Sequence, residues 1–208
     1  MRLHSRRAPR ALILSALAAG LASVGAPPAP AVAASCSAAG STTIVQVGTL
    51  RVFRKTGPNR IYACSTQYGL KVLLESNASG LDRYARNGPQ LLGYAIERGG
   101  GKLAAGVRNL RTGHVIHRRL HALNQIGDFG ARRLLINGLG SIAYIFSTGG
   151  VSHANGQDVF KQDTTGVHLL DSASPLGTGT TIDTGFLQVV GPNVRWKRNG
   201  VIHSAPFH

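Results

Sequence analysis

Three histidines, His114, His117 and His121, stand at His-x2-His-x3-His spacing. On a helix they would share one face, as ligands of a metal must. Here His114 follows a Thr-Gly turn and flanks Val115-Ile116, so the segment reads as strand, and His114 and His117 then point to opposite faces. No neighbouring carboxylate completes a ligand set, and the three read as solvated outer-strand histidines with no metal assigned. Gly138-Leu139-Gly140-Ser141-Ile142-Ala143 matches a dinucleotide fingerprint, with Asp158 downstream. That fingerprint works only where a helix opens at the glycines and points its N-terminus at a pyrophosphate. The next residues, Tyr144 to Gly150, are β-rich and broken by glycines, so no cofactor is expected. Gly-x-Ser-x-Gly is absent, and no catalytic residue is assigned. The eight acids are scattered singly. Asp128, Asp158 and Asp163 are the candidates should two carboxylates converge on a glycosidic bond. Turn-capping or solvated roles are the simpler expectation.

The basic residues are more suggestive. Lys and Arg number 23 against eight Asp and Glu, a net charge of +15. Strand alternation puts Arg195 and Lys197 on one face and Val194 and Trp196 on the other. With Arg118 and Arg119, the segment Arg195-Trp196-Lys197 forms a candidate ligand face. The simpler alternative is solubilising, edge-protecting charge with Trp196, the sole tryptophan, in the core. A balance this basic favours polyanions such as acidic glycans or cell-wall polymers. Export argues against nucleic acid.

Residues 1–34 read as a secretory leader. Arg2, Arg6, Arg7 and Arg10 precede an apolar stretch from Ala11 to Ala19, and Ala31-Val32-Ala33 offers a cleavage site. The stretch is too short to span a bilayer, so no transmembrane segment is expected. Loss of four leader arginines lowers the charge from +15 to +11. Residues 35–42 read as a short tether, and 43–208 as a single domain of a secreted protein. Cys36 and Cys64 are the only cysteines. In an oxidising compartment they can pair, which would stabilise the fold by about 3 kcal/mol. Lipid attachment at Cys36 is the alternative.

The elements that must carry these groups are strands. Short apolar runs alternate with turns at Gly69, Gly113, Gly166 and Gly200, and no segment after the leader keeps helical spacing over ten positions. Asn137-Gly138 marks a further tight hairpin. Val107-Arg108-Asn109-Leu110-Arg111-Thr112-Gly113-His114-Val115-Ile116 resembles the third and fourth strands of a blade in WD-repeat-type or TolB-like β-propellers. Asn109 stands near the Asp position of that turn, with Asp163 as its counterpart before Gly166. The segment from Gly88 to Ala95 resembles the inner strand of the same blade. The Arg-over-Lys bias and Ala/Gly richness resemble exported proteins of high-GC bacteria. The resemblance implies an all-β, irregular, propeller-like array of about four antiparallel units over roughly 43–206, with Thr43–Val47 completing the last unit. A β-sandwich is the alternative. The resemblance also implies a binding or scaffold role whose partner is an anionic polymer, another protein or a second copy.

Overall fold

The computed structural model describes residues 36, 39–57, 59–122, 130–150, 153–174 and 179–208. The leader, its cleavage site and Asp128 lie outside the described residues. Every described element is a strand, and no helix is long and apolar enough to cross a membrane. The strands are β1 Ser41–Val47, β2 Leu50–Lys55, β3 Arg60–Ser65, β4 Lys71–Ser76, β5 Ala78–Asn87, β6 Leu91–Arg98, β7 Lys102–Asn109, β8 Val115–Ala122, β9 Gly130–Ile136, β10 Ile142–Gly150, β11 His153–Asp163, β12 Gly166–Ala173, β13 Ile182–Val190, β14 Asn193–Arg198 and β15 Val201–Pro206. They form four antiparallel sheets in chain order: β1–β4, β5–β8, β9–β12 and β13–β15.

The turns explain why consecutive strands pair. Gly69, Gly113, Gly166 and Gly200 all have positive φ, a conformation a Cβ disfavours. At Gly113 the Asn109 side chain accepts hydrogen bonds from the Arg111 and Thr112 amides, and Asp163 accepts one from Thr165 before Gly166. The two residues matched in sequence thus do one job, satisfying turn amides that the ladder leaves over. The Asn137-Gly138 reversal differs from the tight turn expected. Its loop runs from 137 to 141, because Asn137 Oδ1 accepts from both Leu139 and Ser141 amides and holds a wider turn.

Packing follows strand alternation. One apolar layer joins the first sheet (Val52, Ile61, Leu74) to the second (Leu92, Tyr94, Ile96). A second joins Leu103 and Val107 to Leu134, Ile142 and Phe146 of the third sheet, and a third joins Ile145 and Val159 to Ile182, Leu187 and Val194 of the fourth. Among the described residues no apolar cluster joins the fourth sheet to the first. The expectation that Thr43–Val47 completes the last unit is not met: β1 pairs with β2, because a short Gly48-Thr49 connection closes the hairpin locally. The segment from Gly88 to Ala95 leads into β6, the second strand of its sheet. The first strand of that sheet is β5, whose polar run Ser79 to Asn87 hides it from an apolar-pattern reading.

Candidate functional site

The seams between sheets hold most of the polar chemistry, and they repeat. The second strand of each of the last three sheets carries a large aromatic whose polar tip reaches the outer strand of the preceding sheet. On β6, the Tyr94 hydroxyl lies 3.4 Å from a Glu75 carboxylate oxygen of β4. On β10, the Tyr144 hydroxyl lies 2.6 Å from His121 Nε2 of β8. On β14, Trp196 Nε1 donates to Asp171 of β12 at 2.7 Å. An aromatic body fills the apolar layer while its tip satisfies a polar group that would otherwise be costly to bury.

The three latches differ in charge. Glu75 is buried and receives a bidentate Arg118 guanidinium at 2.6 and 3.0 Å, with Arg98 3.6 Å away. Burial and the adjacent Glu75 charge push the Tyr94 hydroxyl up to about 12. Gly106 makes room for it: a Cβ there would meet the His117 carbonyl at 2.7 Å and the Tyr94 hydroxyl at 2.8 Å. The middle latch is neutral. Gln162 donates to the Tyr144 hydroxyl at 2.8 Å, and the His121 ring packs against Phe160 and Phe146 at 4.7 and 5.7 Å. Burial, helped by the nearby Arg119 charge, lowers His121 to about 4, so the ring is neutral at physiological pH. The third latch is again ionic, with Arg198 donating to Asp171 at 2.8 Å and His203 stacked on Trp196.

Asp163 anchors a further polar knot. Burial would raise its carboxyl, but hydrogen bonds from Lys161, Thr165 and the His208 amide outweigh that and hold it well below the carboxylate range. Lys161 Nζ also donates to the Pro206 carbonyl at 2.9 Å, so the knot ties the end of β15 and the residues after it to the third sheet. Cys36 and Cys64 form a disulfide with a Cα separation of 5.7 Å. It packs on Phe53, and Arg51 donates to the Cys36 carbonyl, so the bridge covers the face of the first sheet turned away from the second. A disulfide fits an oxidising, extracytoplasmic setting.

The chemistry-bearing residues singled out by sequence are dispersed. His121 is not a solvated outer-strand histidine; it lines the second seam on the same face of β8 as His117, whose pKa burial also lowers. Among the described residues no cluster of histidines, cysteines and carboxylates could hold a metal. Ser141 lies in the loop before β10, and the would-be fingerprint runs into strand. Asp158 and Asp163 stand on opposite faces of β11, about 16 Å apart along the strand. Of the candidate ligand face, Trp196 is 5% exposed and turned into the third seam. Arg195 and Lys197 project from the opposite face of β14, where Lys197 lies 5.8 Å from the centre of the Phe186 ring. Arg118 is tied to Glu75, and the adjacent Arg119 is exposed on the other face of β8. These two lie on the second sheet and the other three on the fourth, with the third sheet between them.

Sequence reasoning missed the latches. Their signal was available as a spacing: Tyr94, Tyr144 and Trp196 recur about every fifty residues, as do Glu75, His121 and Asp171. No family model matches the chain, and no curated protein is significantly similar to it.

Proposed function

We propose that this chain is a secreted, non-catalytic binding module for anionic polymers, an acidic glycan or cell-wall polymer. One observation carries the reading: among the described residues Asp183 is the one exposed carboxylate side chain, while many guanidiniums face out. Glu75, Asp163 and Asp171 have side chains at most 8% exposed, and Asp82 only 13%. Arg60, Arg86, Arg111, Arg119 and Arg133 are exposed. With the four leader arginines removed the chain carries +11, and its exposed charge is predominantly positive. Asp158 and Asp163, the best sequence candidates for a glycosidase pair, do not face one bond, which favours binding over hydrolysis. Support for the propeller-type resemblance comes from four antiparallel sheets that succeed one another in chain order, the first three with four strands each.

The reading is tested by applying the secreted chain to an array of acidic and neutral glycans at low and high salt. Acidic glycans bound at low salt and released at high salt are the expected result. Binding to neither class, or to neutral glycans with no salt dependence, overturns it.

A further inference from the structure

Among the described residues the fourth sheet has three strands, where each of the other three has four. Its second strand, β14, carries the latch aromatic Trp196, as β6 and β10 carry Tyr94 and Tyr144. Its first strand, β13, packs against β9, as β5 does. Alignment by these features leaves β15 as a third strand, and the position beyond it, filled by β4, β8 and β12 in the other sheets, has no strand of the described residues. The Gly200 turn accordingly joins the second and third strands, whereas Gly69, Gly113 and Gly166 join the third and fourth.

An edge strand presents a row of unpaired amides and carbonyls, and soluble proteins usually guard it with charge. The outer strand β8 does so with Arg118 and Arg119. From Val201 to Ala205, β15 has no Lys, Arg, Asp or Glu. Val201 and Ile202 are 60% and 55% exposed, one on each face of the sheet. The register fixes what lies behind them: Ile202 is opposite Lys197, Ser204 opposite Arg195, and Val201 opposite Arg198. The Asp171 carboxylate at this end is engaged by Trp196 and Arg198.

We propose that β15 is a docking edge for an extended acidic peptide of a partner protein, which adds as the fourth strand of this sheet. The backbone ladder and the apolar contact with Val201 supply affinity, while Ile202 lies in the row that ends at Lys197. Carboxylates alternating along the incoming strand fall in the rows that end at Lys197 and Arg195. A second copy fits less well, because two chains of this net charge repel. This inference goes beyond the binding of anionic polymers, since it requires a backbone able to pair.

The test uses a synthetic peptide of about nine alternating Val and Glu residues, a usual strand length or a little more. A second version is N-methylated at alternate amides, which keeps its charge and side chains but removes half its donors. Fluorescence anisotropy with the secreted chain should show binding by the first and at least about tenfold weaker binding by the second, the effect of losing roughly 1.4 kcal/mol of ladder. Hydrogen exchange should show new protection at Val201–Ala205 with the unmodified peptide only. The exposed double variant Val201→Glu/Ile202→Glu should weaken binding by at least as much while an acidic polysaccharide still binds. Equal binding of the two peptides would mean charge attraction alone and overturn the proposal. No binding of either peptide also overturns it, as does a dimer by sedimentation that the double variant disperses. None of those results bears on polysaccharide binding, which is measured separately.

Discussion

The first and second seams solve one geometric problem with opposite electrostatics. In both, a tyrosine on the second strand of one sheet reaches a polar side chain on the outer strand of the sheet before it. At the first seam that side chain is Glu75, embedded among Arg118 and Arg98; at the second it is a neutral His121 wrapped by Phe146 and Phe160. The comparison teaches that the aromatic body sets the packing, while the partner's charge decides how each seam answers mutation and pH. The ionic seam is vulnerable to losing one partner, because the remaining charges are then partly buried without compensation. The neutral seam is vulnerable to gaining a proton.

The largest expected effect is at the ionic seam. Glu75→Ala removes the carboxylate that Arg118 and Arg98 share and should cost about 3–5 kcal/mol, read as a lowered urea midpoint. Gln162→Leu at the neutral seam removes one neutral donor to Tyr144 and should cost only about 1–2 kcal/mol. Equal losses would erase the distinction. Reducing the disulfide, or replacing Cys36 and Cys64 by serine, should cost about 3 kcal/mol without altering the ratio between the seams. Gly106→Ala should destabilise by about 2 kcal/mol, because the new Cβ meets a backbone carbonyl that cannot swing away.

The pH dependence sharpens the comparison further. His121 is neutral in the fold, with a pKa of about 4 against an ordinary 6.5. The unfolded chain therefore binds more protons between those values, and stability is lost as pH falls from 6.5 toward 4. Partial solvent screening reduces the effect to about 2 kcal/mol at most. His117 acts in the same direction, and Glu97, raised by burial and by Asp82, acts in the opposite one. The difference between wild type and His121→Gln isolates the seam: the variant should lose most of the slope in that window. Asp163 contributes at lower pH, because its depressed pKa keeps its stabilisation in place above the ordinary carboxylate value and loses it only as pH falls further. The smallest stability change is expected at the exposed Arg119: Arg119→Glu should alter stability by less than about 0.5 kcal/mol yet weaken polyanion binding.

The all-β class, the hairpins at the four glycines and the disulfide were legible because each rests on local rules. Positive-φ turns select glycine, Asn109 and Asp163 cap their turns, and the two cysteines of the chain pair. The strand β5 was not legible, since Ser79-Gly80 and the charged run Asp82-Arg83 break the apolar pattern that marks a strand. The role of His121 was hidden for a different reason. Its burial is created by Tyr144, Phe146 and Phe160, which lie more than twenty residues away and belong to another sheet. Alternation gave Arg195 and Lys197 their shared face, but could not bring Arg118 and Arg119 onto the same sheet. The latch spacing near fifty residues was present in the sequence, masked by the change of partner from Glu to His to Asp.

The central claim is that the outward-facing guanidiniums make a surface that holds anionic polymers. Its most direct measurement is retention of the chain on a sulfated polysaccharide matrix, eluted with a salt gradient beside its Arg195→Glu/Lys197→Glu variant. Retention at about 0.05 M salt, release by about 0.5 M, and earlier elution of the variant are predicted. Flow-through of the wild-type chain at low salt would contradict the claim.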